Sequence, residues 1–275
     1  MRGPALLATA LAMIFVGLWL DRRPDVATRW SFPRGGASRP DLVHRAAVFL
    51  WVLIPWTMTW FGTQALGRPH GAFSTMLPFE RSWPVWQWTE AIYMSAYLFI
   101  PFAALALRTQ YALRRVAVTG AIATLIVTLC WLTIPVVAEN RAFDPAHALG
   151  RFLAFEQGHS IGVAAFPAFH VLWSLIAADA WVVDARLRGD RWTGIGAWTW
   201  AILIAVSCLT TSMHTVIDLA AAAGVFLVLR NRAKAVAGSR IRGSADPGSP
   251  IADPESSIRD PQSPILNRQS RIADQ

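Results

Sequence analysis

Charge is the first shortage in this chain. Asp, Glu, Lys and Arg make up 15% of its 275 residues, where a soluble domain carries about 25%. The few charges gather in short stretches between long apolar runs, as bilayer-spanning helices require, and this excludes an ordinary soluble globule. Cysteine is scarcer still: Cys130 and Cys208 are the only two, each lies inside an apolar run, and no CxxC spacing exists. That pattern supports neither a disulfide framework nor a zinc site, and both read as small apolar packing residues. No internal repeat is visible, which argues against the repeated halves of many transporters. Only Arg2 supports a charged leader, and no small-residue cleavage site precedes Asp21-Arg22-Arg23. The first apolar run therefore reads as a retained helix rather than a signal peptide.

What is present in quantity is apolar surface, 54% of residues, and Trp, fourteen in all. Trp60, Trp83, Trp86, Trp88, Trp181 and Trp192 stand at the ends of apolar runs, where aromatic belts meet the membrane interface. Seven runs predict spanning helices at about 4–20, 46–62, 88–107, 113–136, 167–183, 194–212 and 213–230. Each is about long enough to cross a ~30 Å hydrocarbon core at ~1.5 Å per residue.

Basic residues in alternate loops set the orientation. Twelve Arg, from Arg22 to Arg45, Arg108 to Arg115 and Arg186 to Arg191, fall on one side, and four, Arg68, Arg81, Arg141 and Arg151, on the other. The richer side is predicted to be cytoplasmic. The N-terminus is then outside and the C-terminus inside, and cleavage of the first run would leave the other six helices in the same orientation. The net charge of +8 lies in loops and tail, where positive-inside topology and anionic lipid account for it, so nucleic acid is not implied as a partner. From about residue 231 the chain is rich in Ser, Pro, Asp and Arg and reads as a disordered cytoplasmic tail. Its Ser-Pro pairs at 249–250 and 263–264 are candidate modification sites in a solvated segment.

The outer side is poor in charge, so its polar residues carry information. Phe166-Pro167-Ala168-Phe169-His170 opens the fifth run, with Pro in the first turn and His170 one turn into the helix, where free N–H groups favour an anion. His214-Thr215-Val216-Ile217-Asp218 opens the last run. Its spacing predicts His214 and Asp218 on one helix face, with Asp218 accepting from one imidazole nitrogen and leaving the other lone pair free. A third helix end on that side brings Arg141. A phosphate bound there would meet a nucleophile, an acid and a cation.

These two motifs resemble the second and third signatures of the type-2 phosphatidic acid phosphatase superfamily, Pro-Ser-x-His and His-x-x-x-Asp. The inositol phosphorylceramide synthase-like (inositolphosphotransferase) branch is the closer match, through Leu77-Pro78-Phe79, the aromatic stretch Trp83 to Trp88, and Tyr93 with Tyr97. The resemblance covers about residues 46–230. It departs from the pattern at Ala168, where Ser is usual, and at Cys208, where the simpler phosphatases have Arg, and the first signature, a Lys followed by Arg-Pro, is absent.

The resemblance implies an all-α polytopic membrane bundle: an N-terminal transmembrane helix and basic cytoplasmic loop at 1–45, a six-helix catalytic core at 46–230, and the tail at 231–275. It implies a lipid phosphatase or head-group phosphotransferase of the cytoplasmic membrane, with its site on the non-cytoplasmic face. His214 would be the nucleophile, Asp218 would orient it, and His170 would be the general acid. Arg141 and Arg151 would bind the substrate phosphate, with no cofactor and no metal. The partners would be a lipid phosphate and membrane lipids; the oligomeric state is not implied.

Other residues have plainer readings. Asp144, His147, Glu156 and His159 match no ligand spacing and read as a lid over the site. Glu90 reads as interfacial, and Asp179, on the helix face opposite His170, as paired with another helix or reaching the interface. Two rival functions remain: a non-catalytic membrane scaffold or binding protein of the same fold, and a small-solute transporter.

Overall fold

The computed structural model describes residues 2–23, 30–34, 36–159 and 162–243, with side chains described within 3–231. The helices are α1 (Arg2–Arg22), α2 (Leu42–Val48), α3 (Ile54–Gln64), α4 (Glu90–Met94), α5 (Ala96–Ala106), α6 (Gln110–Thr133), α7 (Ala148–His159), α8 (Phe169–Arg188), α9 (Arg191–Thr210) and α10 (Val216–Gly243). A π-helical turn, Phe49–Leu53, joins α2 to α3. No strand occurs among the described residues, only an isolated parallel bridge between Phe73 and Val136.

Five stretches are long and apolar enough to cross a membrane: Gly3–Arg22, Leu42–Gln64, Gln87–Ala106, Gln110–Thr133 and Arg191–Thr210. They coincide with five of the seven predicted runs. The other two runs also form long helices, α8 and α10, but these carry charge. Asp179, Asp184, Arg186 and Arg188 lie in α8, and Asp218 and Arg230 in α10.

The reason α8 tolerates charge is that it is enclosed. It packs against α5, α6 and α9, and thirteen of its residues are buried, Trp173 completely. A helix buried all round has no single apolar stripe. Gly120 on α6 makes the close approach possible: a Cβ there would lie 2.2 Å from the Trp173 ring. The α8–α9 hairpin turns at Gly189, whose φ of 70° is left-handed, and Asp190 then caps α9 by accepting from the Thr193 N–H at 3.2 Å. A side-chain acceptor before the first turn satisfies an otherwise orphaned donor.

At that end of the bundle the charges are paired across helices. Asp179 of α8 meets Arg115 of α6 at 2.6 Å and Arg230 of α10 at 3.0 Å, so the expectation that Asp179 pairs with another helix describes what is found. Asp184 accepts from the Arg108 and Thr109 N–H groups just ahead of α6 at 2.9 and 2.7 Å, and from Arg188 at 2.9 Å. Asp21 of α1 holds Arg114 at 2.7 Å.

Residues up to 231 form one compact unit. Helix α1 packs along α3 and against α6, so the N-terminal helix belongs to that unit. Helix α10 runs to Gly243, past the residue where the tail was expected to begin. The Ser-Pro pairs at 249–250 and 263–264 lie outside the described residues.

Candidate active site

The chain after α9 makes the turn that presents the second motif. Ser212 takes a left-handed φ of 61°, and the N–H groups of Met213 and His214 both donate to the Cys208 carbonyl at 3.1 Å. His214 consequently lies in the turn, ahead of α10, rather than on its first helical face. Thr215 caps α10. The Thr215 N–H donates to Asp218 Oδ2 at 2.9 Å, and the Asp218 N–H donates to Thr215 Oγ1 at 3.3 Å. That reciprocal pair is a capping box, with Asp in the place more often held by Glu or Gln.

The capping box changes the role of Asp218. Its Oδ2 stands 3.8 Å from His214 Nδ1, beyond hydrogen-bond distance. The expected carboxylate–imidazole hydrogen bond is not formed, because the carboxylate already accepts from Thr215 N–H and, at 2.8 Å, from the Thr75 hydroxyl. His214 Nδ1 instead bonds the Ala165 carbonyl at 3.0 Å. A carbonyl only accepts, so Nδ1 carries the proton and Nε2 keeps the lone pair. The tautomer expected from sequence is reached through a different acceptor, and Asp218 acts on the ring through space.

The first motif lies directly opposite. Ala168, just ahead of α8, has no side chain to cap the helix, and its N–H donates to the Asp218 carbonyl at 3.1 Å. His170 follows in the first turn, 6% exposed, with His214 at 8%. The two imidazole centroids are 6.1 Å apart. Tyr93 and Tyr97 pack on His170, each at 4.9 Å between ring centres, and the Tyr93 hydroxyl lies 3.3 Å from His170 Nδ1. Both imidazoles, with Trp60, Tyr93, Tyr97 and Glu156, line a cavity of about 20 Å³, room for about one water.

Beside it runs a larger hollow of about 480 Å³, walled by apolar side chains such as Leu77, Ile134, Phe166 and Ile217. Thr75 belongs to its wall and also bonds Asp218, so the hollow reaches the polar network.

The two predicted phosphate ligands are not brought to this cavity. Arg141 is 8% exposed. Its guanidinium donates to the Trp83 carbonyl at 3.2 Å, the Glu80 carbonyl at 3.4 Å and the Leu209 carbonyl, and it stacks 6.0 Å over Trp83. Burial pushes it below its ordinary pKa, while Glu80 draws it back up. It ties the turn after α9 to the outer loops. Arg151 is exposed on α7. Among the described residues, no Arg or Lys lines the cavity wall.

Glu80 was not singled out by sequence. Its carboxylate accepts from the Val216 N–H at 2.9 Å, at the N-terminus of α10, and from the Leu77 N–H at 2.7 Å. Glu90, read as interfacial, is completely buried. In the predicted lid, α7 carries Glu156, which accepts from the Tyr97 hydroxyl at 3.2 Å. His159 bonds the Phe155 carbonyl at 2.8 Å on the exposed face. No cluster of three or more His, Cys, Asp or Glu is arranged to hold a metal among the described residues. Thr75 and the Ala165 carbonyl carry no local signal that sequence reading could have used. Set against protein-family models, curated proteins and solved structures, the chain finds no match in any of the three.

Proposed function

We propose that this chain is a membrane lipid phosphatase or head-group phosphotransferase that works through a phosphohistidine on His214, at the non-cytoplasmic face of the cytoplasmic membrane. The observation that carries the reading is the pair of buried imidazoles, one in the first turn of α8 and one in the turn ahead of α10, 6.1 Å apart on one cavity. Their sequence context resembles the type-2 phosphatidic acid phosphatase signatures, and five helices are fit to cross a membrane. A six-helix core of that superfamily, preceded by one extra helix, is the architecture this reading assigns.

The chemistry follows from the donor and acceptor inventory. His214 Nε2, with its lone pair set by the Nδ1–Ala165 bond, attacks phosphorus as the bond to the leaving oxygen breaks, and His170 gives that oxygen its proton. Water or an alcohol then attacks the phosphohistidine, His170 takes a proton from it, and His214 is released. Asp218, 3.8 Å from Nδ1, offsets the positive charge that the ring gains. Acyl chains lie in the apolar hollow next to Thr75.

A cavity of about 20 Å³ with no cation among the described residues of its wall favours a second reading, a non-catalytic membrane scaffold of the same fold. Turnover separates the two. The purified chain in detergent, given a panel of lipid phosphates and phosphodiesters, is expected to release or transfer phosphate, and His214→Ala is expected to fall to background. Equal background turnover in both leaves the scaffold.

A further inference from the structure

The apolar hollow is walled by the same pieces of chain that present the histidines. Phe166 precedes Pro167 in the first motif, Ile217 precedes Asp218 in the second, and both line the hollow. The motifs turn His170 and His214 to the small cavity, and Phe166 and Ile217 to the hollow beside it. Ile134, on the same wall, directly follows the membrane-competent stretch Gln110–Thr133. An apolar hollow at the end of such a stretch suits a hydrocarbon chain better than water.

The remaining wall is the segment 73–77. One end is pinned to the chain after α6: the Phe73 N–H donates to the Pro135 carbonyl and the Val137 N–H to the Phe73 carbonyl, both at 3.0 Å. The rest is tied to the start of α10. The Thr75 hydroxyl donates to Asp218 Oδ1 at 2.8 Å and lies 2.9 Å from Thr215 Oγ1. A carboxylate only accepts, so the one hydrogen of Thr75 goes to Asp218 and Thr215 donates to Thr75. The Leu77 N–H donates to Glu80 Oε2 at 2.7 Å, and Glu80 Oε1 accepts from the Val216 N–H at 2.9 Å. These ties end on Thr215, Val216 and Asp218, the residues that follow His214 and fix its turn. On the hollow side the segment has less support, with Phe73 half exposed. A chain lying there supplies the missing contacts.

We infer that the substrate's own hydrocarbon chain, seated in this hollow, packs the 73–77 segment against α10 and so holds the His214 turn in its reactive position. This rests on the phosphotransfer reading above. Binding energy gained far from phosphorus then appears in the rate of the chemical step, and a substrate without the chain loses rate as well as affinity. Misplacing a reacting group by about 1 Å costs about 100-fold, so a slight loosening of the turn has a large effect. Thr75 is the positioning residue that links the hollow to Asp218.

The test uses the full chain in a steroid-based detergent, which brings no alkyl chain of its own. The substrates are alkyl phosphates from ethyl to hexadecyl, with the matching glycerol diesters. The single-turnover rate at saturating substrate excludes product release, and it is expected to rise roughly 10- to 100-fold along the series. Free dodecane, which fills the hollow without being tethered, is expected to raise the rate with the ethyl esters several-fold. A flat rate with only the affinity improving means that the chain binds uniformly, and it overturns the inference. A rise that dodecane does not reproduce overturns it too. Neither arm needs a variant to fold. Thr75→Val is expected to keep the gain in affinity along the series and lose most of the gain in rate; a full gain in rate overturns the link through Thr75. No turnover of any of these esters by the wild type overturns the phosphotransfer reading itself, and the inference with it.

Discussion

The two ends of the bundle handle buried charge in opposite ways. At the arginine end, Asp21, Asp179 and Asp184 each meet at least one guanidinium within 3.0 Å, and Asp184 also holds the turn before α6. At the histidine end, two imidazoles, one glutamate and two phenols share a small cavity that no Arg or Lys lines among the described residues. Paired charges fix helices in place and leave nothing over for chemistry. A site whose polar groups are satisfied only by a proton or a passing ligand costs stability and gains reactivity. The same helix, α8, serves both ends, with His170 in its first turn and Asp179 and Asp184 further along.

That contrast can be broken from either side. The largest structural effect is expected from Asp179→Ala, which leaves Arg115 and Arg230 without a carboxylate. Removing one partner of a buried pair costs about 3–5 kcal/mol. The lower end applies here, since Arg230 is 28% exposed, and the thermal midpoint in detergent should fall while the histidine geometry stays intact. Gly120→Ala comes next. Its Cβ would meet the fully buried Trp173 ring at 2.2 Å, and overpacking of this kind costs about 1–3 kcal/mol. An unchanged midpoint would mean that α6 and α8 are not so closely packed. The smallest stability effect is expected from Thr75→Val, which removes one donor to Asp218 while the Thr215 N–H remains. A lost hydrogen bond to a charged group is worth about 1.5–3 kcal/mol, and the retained donor keeps the loss at the low end of that range. Turnover should nevertheless drop, because Asp218 is then less firmly held near His214. A variant that loses stability and keeps full turnover would detach Asp218 from the chemistry.

Much of the helical architecture was legible in the sequence, because long apolar runs bounded by Trp and Arg have few other solutions. The five most apolar runs are the five membrane-competent helices, and α8 and α10 stand apart because their acidic residues are paired or capped inside the bundle. The two histidines were legible through their motifs. Their supports were not. Thr75 and the Ala165 carbonyl come from loops, whose paths no periodicity fixes. The Thr215-x-x-Asp218 capping box was written in the sequence, but the i, i+4 spacing of His214 and Asp218 suggested a helix face, and the box places His214 in the turn instead. Glu90 looked interfacial because a lone acid opening an apolar run usually is, and its burial depends on α7 folding over it. Arg141 looked available to a phosphate because sequence cannot show that three carbonyls already hold its guanidinium.

The central claim is that Nε2 of His214 bonds to phosphorus during turnover. The most direct measurement incubates the protein with a lipid phosphate, quenches under alkaline conditions that preserve phosphohistidine, and maps the phosphoryl group by mass spectrometry of the peptides. The account expects the mass of one phosphoryl group on the peptide containing His214 in the wild type, and none there in His214→Ala. Turnover without label on that peptide, or label on another residue in both proteins, would contradict it.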